Sequence, residues 1–268
     1  METLEKIRIL NCLESSNVDN DWTFETAENS GILTAPSQLP RTMDLRAPWW
    51  KIADQQQTGS CVGWATADSV LRWHFVKNNQ LNKDELLSVR FIWMASKETD
   101  VFDSRPSTFI DSSGTSLKSA LDIAKNYGCV KENLLPFDNN ALYNESENTF
   151  YALASSLKIR SYFNLNTEGD KLINWKSWLS QKGPILTRLN VDASFMNASS
   201  SNGDLDTYGT YHYGGHAIAI VGYTGNRFII RNSWGESWGD GGFAYASYDY
   251  ASKAFTESYG IILFEDPS

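Results

Sequence analysis

Asp54-Gln55-Gln56-Gln57-Thr58-Gly59-Ser60-Cys61, followed by Val62-Gly63-Trp64 and apolar residues at Ala67, Val70, Leu71 and Phe75, is the stretch from which the fold is read. Its apolar positions recur at helical spacing and Gly59 supplies a turn before them, so a helix is predicted from Cys61 to about Lys77. Cys61 then opens that helix, where unpaired backbone N–H groups and the helix dipole favour negative charge. A thiol so placed, with an imidazolium nearby, has its pKa drawn from about 8.5 to roughly 3.5–7.5 and becomes a nucleophilic thiolate at neutral pH. Taken alone, a cysteine at a helix start fits a small buried hydrophobe equally well.

Working outward, a second helix is predicted from Asp84 to about Lys97, apolar through Leu87, Phe91 and Met94, with Asp84 as its cap. A third follows the turn Asp111 to Gly114, with Leu117, Ala120, Leu121 and Ala124 on one face and Gly128 stopping it. The second half changes character. After a helix from about Glu168 to Gln181, ended by Gly183-Pro184, come β-rich runs at Ile185 to Val191, His216 to Tyr223 and Arg227 to Arg231. Thr224-Gly225-Asn226 joins the last two as a hairpin, Gly239 to Gly242 forms a turn, and Phe243 to Tyr250 and Tyr259 to Phe264 read as further strands. The expected class is α+β, with a helical lobe at about 39–150, a β lobe at about 151–268 and a cleft between them. Residues 1–38 are polar and weakly periodic, with loops at Asn17 to Asn20 and Glu25 to Ser30 and Pro36 closing the stretch, and form an extension.

A chain of 268 residues, 41% apolar and 21% charged, can bury a core of ordinary density, which excludes a disordered or fibrous class. Apolar runs such as Ala217 to Val221 are far shorter than the roughly 20 residues of a membrane helix, so no membrane partner is expected. With 32 acidic against 23 basic side chains, a net charge of -9 and no basic cluster, neither is nucleic acid. The first residues lack a basic leader with an apolar stretch behind it, and cytoplasmic residence is the working expectation. Three cysteines, Cys12, Cys61 and Cys129, are too few and too scattered for a disulfide framework or a zinc site, and no metal or cofactor is expected.

A base for Cys61 follows by elimination among His74, His212 and His216. His74 lies on the same predicted helix, roughly 20 Å away at 1.5 Å per residue. His212 sits in the glycine- and tyrosine-rich segment Tyr208 to Tyr213 and reads as a surface or loop histidine. His216 begins a strand after Gly214-Gly215, whose missing side chains let a partner approach closely. Asn232, just past a strand and followed by Ser233-Trp234-Gly235 and Trp238-Gly239, has a side-chain oxygen that can accept the imidazole N–H while indoles shield the bond from water. An amide donor a few residues before the nucleophile can join the Cys61 N–H in holding an oxyanion, an effect worth about 3–4 kcal/mol, but Gln55, Gln56 and Gln57 are consecutive and spacing does not choose among them.

Asp54 to Cys61, then Gly215-His216-Ala217-Ile218-Ala219-Ile220-Val221-Gly222-Tyr223, then Arg231-Asn232-Ser233-Trp234-Gly235 with Trp238-Gly239, resemble in order the three catalytic blocks of the papain family of cysteine peptidases. The resemblance runs from about Leu39-Pro40, through Met43-Asp44-Leu45-Arg46, to Gly260. It implies a two-lobe fold with Cys61 as nucleophile, His216 as base and acid, Asn232 as orienting group and Gln55, six residues before the cysteine, in the oxyanion hole. It further implies that Gly114 binds substrate backbone, that Leu117 and Ala217 lie near a side-chain pocket, and that Trp234 borders the substrate. Departures accompany it. Thr58 stands where a disulfide cysteine is usual, Gln56 replaces a common glycine, Val62 replaces an aromatic residue and Gly114-Thr115 replaces paired glycines. These mark a disulfide-free branch in which Cys129 is a buried thiol and Cys12 has no assigned role. The long interval from Cys61 to His216 suggests insertion, for example at Asp192 to Tyr211 beside the cleft.

The expected reaction is hydrolysis of peptide bonds through a thioester on Cys61, with a protein or peptide as substrate. The same acyl-enzyme resolved by an amine makes a transpeptidase or acyltransferase, and a silent binding protein on the same fold is a third reading. The extension, residues 1–38, is expected to brace the lobes or to block the cleft.

Overall fold

Along His212–Tyr223 (β5), Ala217, Ala219 and Val221 enter one hydrophobic cluster while Ile218 and Ile220 enter another, because successive strand side chains point to opposite faces. That alternation divides the molecule into two apolar layers, one between the sheet and the helix opened by Cys61 with its neighbours, the other on the opposite face under the helices Lys171–Gln181 and Tyr248–Ala254. The computed structural model describes residues 8–34, 38–99, 113–138, 146–167 and 169–264.

Within these residues the sheet comprises β1 (Met43–Asp44), β2 (Ile159–Asn164), β3 (Ile185–Asp192), β4 (Asp204–Leu205), β5, β6 (Arg227–Arg231), β7 (Phe243–Ser247) and β8 (Phe255–Leu263). Its order is β2-β8-β3-β5-β6-β7-β4, with β1 pairing to β5, and every pairing is antiparallel except the short β4–β7 contact. The β5–β6 hairpin closes where Thr224 N–H donates to the Arg227 carbonyl at 2.8 Å. The α+β, two-lobe architecture is as expected.

The helix opened by Cys61 runs continuously to Lys77, as Cys61–Gly63, a π-helical middle at Trp64–Leu71, and Arg72–Lys77. Wider π winding is uncommon and recurs at functional sites. Gly63 lets the helix Val89–Thr99 close on it, since a Cβ there would stand 2.9 Å from the Val89 carbonyl oxygen. Leu117–Asn126 completes the helical layer; Ser116 caps it by accepting from the Ser119 N–H, and Gly128, at φ 95°, ends it. Of the turn expected before it, Asp111 and Ser112 lie outside the described residues.

Several boundaries differ from expectation, each for a local reason. The second helix begins at Val89 instead of Asp84: Ser88 Oγ accepts from the Phe91 N–H at 3.0 Å, and Ser88's own N–H is engaged by the Val130 carbonyl. The helix expected from Glu168 starts at Lys171, capped by Asp170, whose carboxylate accepts from the Leu172 N–H. The run read as a strand to Tyr250 stops at Ser247, which caps a helix at Tyr248–Ala254, and β8 accordingly starts earlier than Tyr259. Of the two readings of His212, surface or loop, the surface one holds: it is the exposed first residue of β5. A helix at Glu147–Ser155 and strand β2 went unforeseen.

The extension is more ordered than its composition suggests. Thr23 and Thr26 cap each other reciprocally at the start of a helix, Phe24–Asn29, in the segment read as loop. Phe24, Ala27 and Leu33 are buried in the cluster on the outer face of the sheet. Asn164 N–H donates to the Trp22 carbonyl at 2.7 Å, and Asp21 takes an ion pair from Lys118 and a hydrogen bond from the Tyr259 hydroxyl. Residues 21–33 therefore belong to the body of the fold.

Candidate active site

Ser60 precedes the first helical turn and its carbonyl accepts from the Trp64 N–H at 3.0 Å, so Cys61 is the first residue of its helix, as predicted. On the opposite lobe β5 carries His216 and β6 ends at Arg231, immediately before Asn232. His216 Nε2 lies 2.7 Å from Asn232 Oδ1. The same oxygen accepts from the Ser233 N–H at 2.8 Å, which fixes the amide's orientation and makes Nε2 the protonated imidazole nitrogen. Nδ1 is left without a nitrogen or oxygen partner and is the atom able to serve the sulfur.

The sulfur's surroundings favour the thiolate. A hydrogen bond from the Cys12 thiol, then a hydrogen bond and charge from His216, then the Ala217 N–H, together outweigh the cost of burial and hold the Cys61 pKa well below the ordinary thiol range. Cys12 moves the opposite way: burial and the adjoining Cys61 keep it protonated.

Gln55 is wholly buried and fixed at both ends of its amide. Ser233 Oγ donates to Oε1 at 2.9 Å, Nε2 donates to the Thr58 carbonyl at 2.9 Å, and the Gln55 backbone N–H reaches the Ser233 carbonyl at 2.8 Å. The loop before the cysteine is thereby tied to the residue after Asn232. Gln56, where glycine is common in the resembled pattern, has φ 57° in the left-handed region, which explains a preference for glycine there.

Aromatic rings enclose the imidazole. Trp234 lies 4.8 Å from it, centroid to centroid, and Phe195 lies 5.7 Å away, while the Trp238 indole N–H donates to the Phe195 carbonyl at 3.0 Å. Shielding by Trp234 was foreseen; Phe195, in the segment read as an insertion, was not. Asp192 places it by capping the short helix Ala193–Met196 and accepting from the Tyr250 hydroxyl.

The groove between the lobes is filled by the chain's own residues 8–13. Cys12 N–H donates to the Gly215 carbonyl and Leu13 N–H to the Thr115 carbonyl, both at 3.0 Å, so the segment bonds to both walls. A Cβ on Gly114 would collide with the Asn11 carbonyl oxygen, one on Gly214 with that of Leu10 and one on Gly215 with that of Cys12. Those glycines leave room for a peptide backbone. Arg8 secures the leading end, pairing with Asp54 at 2.8 Å, donating to the Trp234 carbonyl at 2.9 Å and lying 5.3 Å from the Trp234 ring.

The structure thus brings Cys61, His216, Asn232 and Gln55 together, with Ala217 and Trp234 against them. Gly114 stands beside the inserted segment, and Leu117 is wholly buried at the start of its helix. His74 is buried elsewhere, beside Gly183 and Pro184. Cys129 bonds through its sulfur to the Ser88 and Val130 carbonyls, away from the site. Among the neighbours of the site that sequence reasoning missed, Ser233 lies inside a quoted motif; Cys12, Arg8 and Arg188, whose Nε donates to the Cys12 carbonyl at 3.0 Å, carry no local signal.

A model of the papain family cysteine protease matches residues 39–261. Mouse cathepsin K is 25% identical, with 91% of this chain and 68% of the relative covered. Cysteine proteinase 3 of Entamoeba histolytica is 26% identical, with 85% and 69% covered. Among solved structures, xylellain, a cysteine protease from Xylella fastidiosa, superposes with a TM-score of 0.77 at 20% identity, covering 96% of this chain and 97% of that one. Digestive procathepsin L 3 of Tenebrio molitor larval midgut gives 0.70 at 18% identity, covering 95% and 77%.

Proposed function

The chain belongs to the papain family of cysteine proteases, and we propose that its peptidase chemistry is carried by Cys61, His216, Asn232 and Gln55. The Cys61 thiolate attacks a peptide carbonyl, and the Gln55 side-chain amide with the Cys61 N–H takes the oxyanion. His216 protonates the departing amine from Nδ1, then draws a proton from the water that hydrolyses the thioester. Asn232 holds Nε2–H so that Nδ1 faces the sulfur. The 2.7 Å bond between His216 and Asn232 beside a thiol of depressed pKa is the observation that carries this reading.

The backbone bonds now made by Cys12 and Leu13 are those an extended substrate would need, so residues 8–13 hold the enzyme latent. Their position supports self-inhibition over hydrolysis of the segment, because the Cys12 carbonyl is engaged by Arg188 Nε at 3.0 Å and not by the oxyanion donors. Arg8→Ala, which loosens the segment without removing residues 21–33 from the core, is expected to raise turnover of an unstructured peptide severalfold in reducing buffer. Cys61→Ala in the same background is expected to abolish it and to abolish labelling by a peptidyl thiol reagent. Equal labelling of both proteins would remove Cys61 from the chemistry.

A further inference from the structure

We propose that Cys12 and Cys61 are a modification site: under peroxide they form a reversible disulfide that locks the extension into the groove and caps the nucleophile. The bond itself stands on the packing of the two thiols in one buried cluster and on the backbone anchoring of Cys12; its meaning as a lock on activity rests on the peptidase reading above.

Both cysteines are buried and free, they pack in one core cluster, and each is the neighbour that shifts the other's thiol, while Cys12 Sγ also lies 3.9 Å from the Leu13 carbonyl oxygen. The approach is held by the backbone. On one side the Cys12 N–H is bonded to Gly215, the residue before His216; on the other its carbonyl is bonded to Arg188, itself anchored by Asn190 Oδ1 and Thr256 Oγ1 at 3.1 and 2.8 Å. Both peptide groups of Cys12 are thus tied to one wall of the groove, and its side chain is buried in the cluster that also holds Cys61. A thiolate beside a protonated thiol is the pair that disulfide chemistry requires: one sulfur attacks oxidant, the other resolves the product. Cys129 offers an internal comparison, because burial pushes its thiol well above the ordinary range and its sulfur donates to the Ser88 and Val130 carbonyls.

The electrons balance with hydrogen peroxide as the oxidant. The Cys61 thiolate attacks one peroxide oxygen, breaking the O–O bond to give a sulfenic acid and hydroxide. The Cys12 sulfur then attacks the sulfenic sulfur, forming the S–S bond as the hydroxyl leaves and takes up the Cys12 proton as water. Two thiols are oxidised by two electrons and one peroxide is reduced. A small dithiol reverses the bond by exchange and is itself oxidised to its disulfide. A lone active-site thiolate, by contrast, proceeds from sulfenic to sulfinic acid, which thiols do not reduce.

The test treats the reduced 268-residue chain with hydrogen peroxide and follows it by intact mass and peptide mapping. The expected product has lost two hydrogens, carries a Cys12–Cys61 cross-linked peptide and returns to the starting mass with dithiothreitol. Cys129→Ser should behave identically, and Cys12→Ser, with the native fold verified by circular dichroism, should instead accumulate Cys61 sulfinic acid. Formation of sulfinic acid in the wild-type chain with Cys12 still free, or a cross-link to Cys129, would overturn the proposal. Turnover separates the two levels. If Arg8→Ala reduced protein hydrolyses peptide and its oxidised form does so equally well, the lock fails while the peptidase reading stands. If the cross-link forms but no reduced form hydrolyses peptide or takes a Cys61 label, the peptidase reading fails and the disulfide stands.

Discussion

Cys61 and His74 sit on one helix, and burial acts on them with different outcomes because their partners differ. Cys61 gains a thiol donor, an imidazole and a backbone N–H, which together favour its charged form. The largest of these is the Cys12 thiol. Cys12→Ala is therefore expected to raise the pH at which the Cys61 thiolate absorbance appears. His74 gains a backbone bond at Pro184, but burial dominates and pushes its pKa down to about 4. The unfolded chain takes up this proton near pH 6.5 and the folded chain only near 4, so stability present above pH 6.5 is lost as pH falls through that window, by about 3 kcal/mol in all. His74→Gln, which keeps an amide donor for Pro184 but does not titrate, should flatten that limb in urea-melting midpoints between pH 6.5 and 4.

At the scale of elements, an ionic clamp joins the helix opened by Cys61 to the strand leading into Asn232. Asp68, in the π-wound segment, receives Arg231 Nη2 from the end of β6 at 2.8 Å and Arg72 Nη1 at 3.2 Å, all three side chains being buried. Arg231 also donates to Ser69 Oγ and stacks 4.8 Å from the Trp50 ring. A buried pair of this kind adds little net stability against an apolar substitute, but removing one member strands the others. Asp68→Ala leaves two buried guanidinium groups facing each other and is expected to cost about 3–5 kcal/mol, read as a lowered denaturation midpoint. Loss of the Ser88 cap by Ser88→Ala should cost only about 1 kcal/mol, since the helix Val89–Thr99 keeps its packing.

Across the whole molecule the extension does two jobs that its sequence does not separate. Residues 21–33 are bonded to β2 and packed into the outer core, whereas residues 8–13 lie in the groove, held by backbone hydrogen bonds, the Arg8 pair and the burial of Cys12. Truncation to residue 13 removes one small buried side chain, Cys12, and should therefore lower the melting temperature less while exposing the groove, whereas truncation to residue 38 should lower it by several degrees through the further loss of Phe24, Ala27 and Leu33 from the core. Differential scanning calorimetry of the two proteins distinguishes these roles.

Sequence alone determined what depends on neighbours a few residues apart: the Cys61 helix from its turn and apolar period, the β5–β6 hairpin, the stop at Gly128, and the α+β class. Short caps went unread where the apolar pattern was thin, as at Thr23, Ser88 and Ser247. The three quoted motifs also marked the residues that meet around the sulfur, but they left three consecutive glutamines that only the family pattern ranked. Tertiary structure decided the rest. That Ser233 fixes Gln55, that Phe195 backs His216, that Asp68 meets Arg231 and that Cys12 reaches Cys61 each depends on groups brought together from distant parts of the chain. Such contacts leave no periodicity or spacing to read, because they arise only when the apolar faces of sheet and helices have been buried and the lobes have a fixed separation.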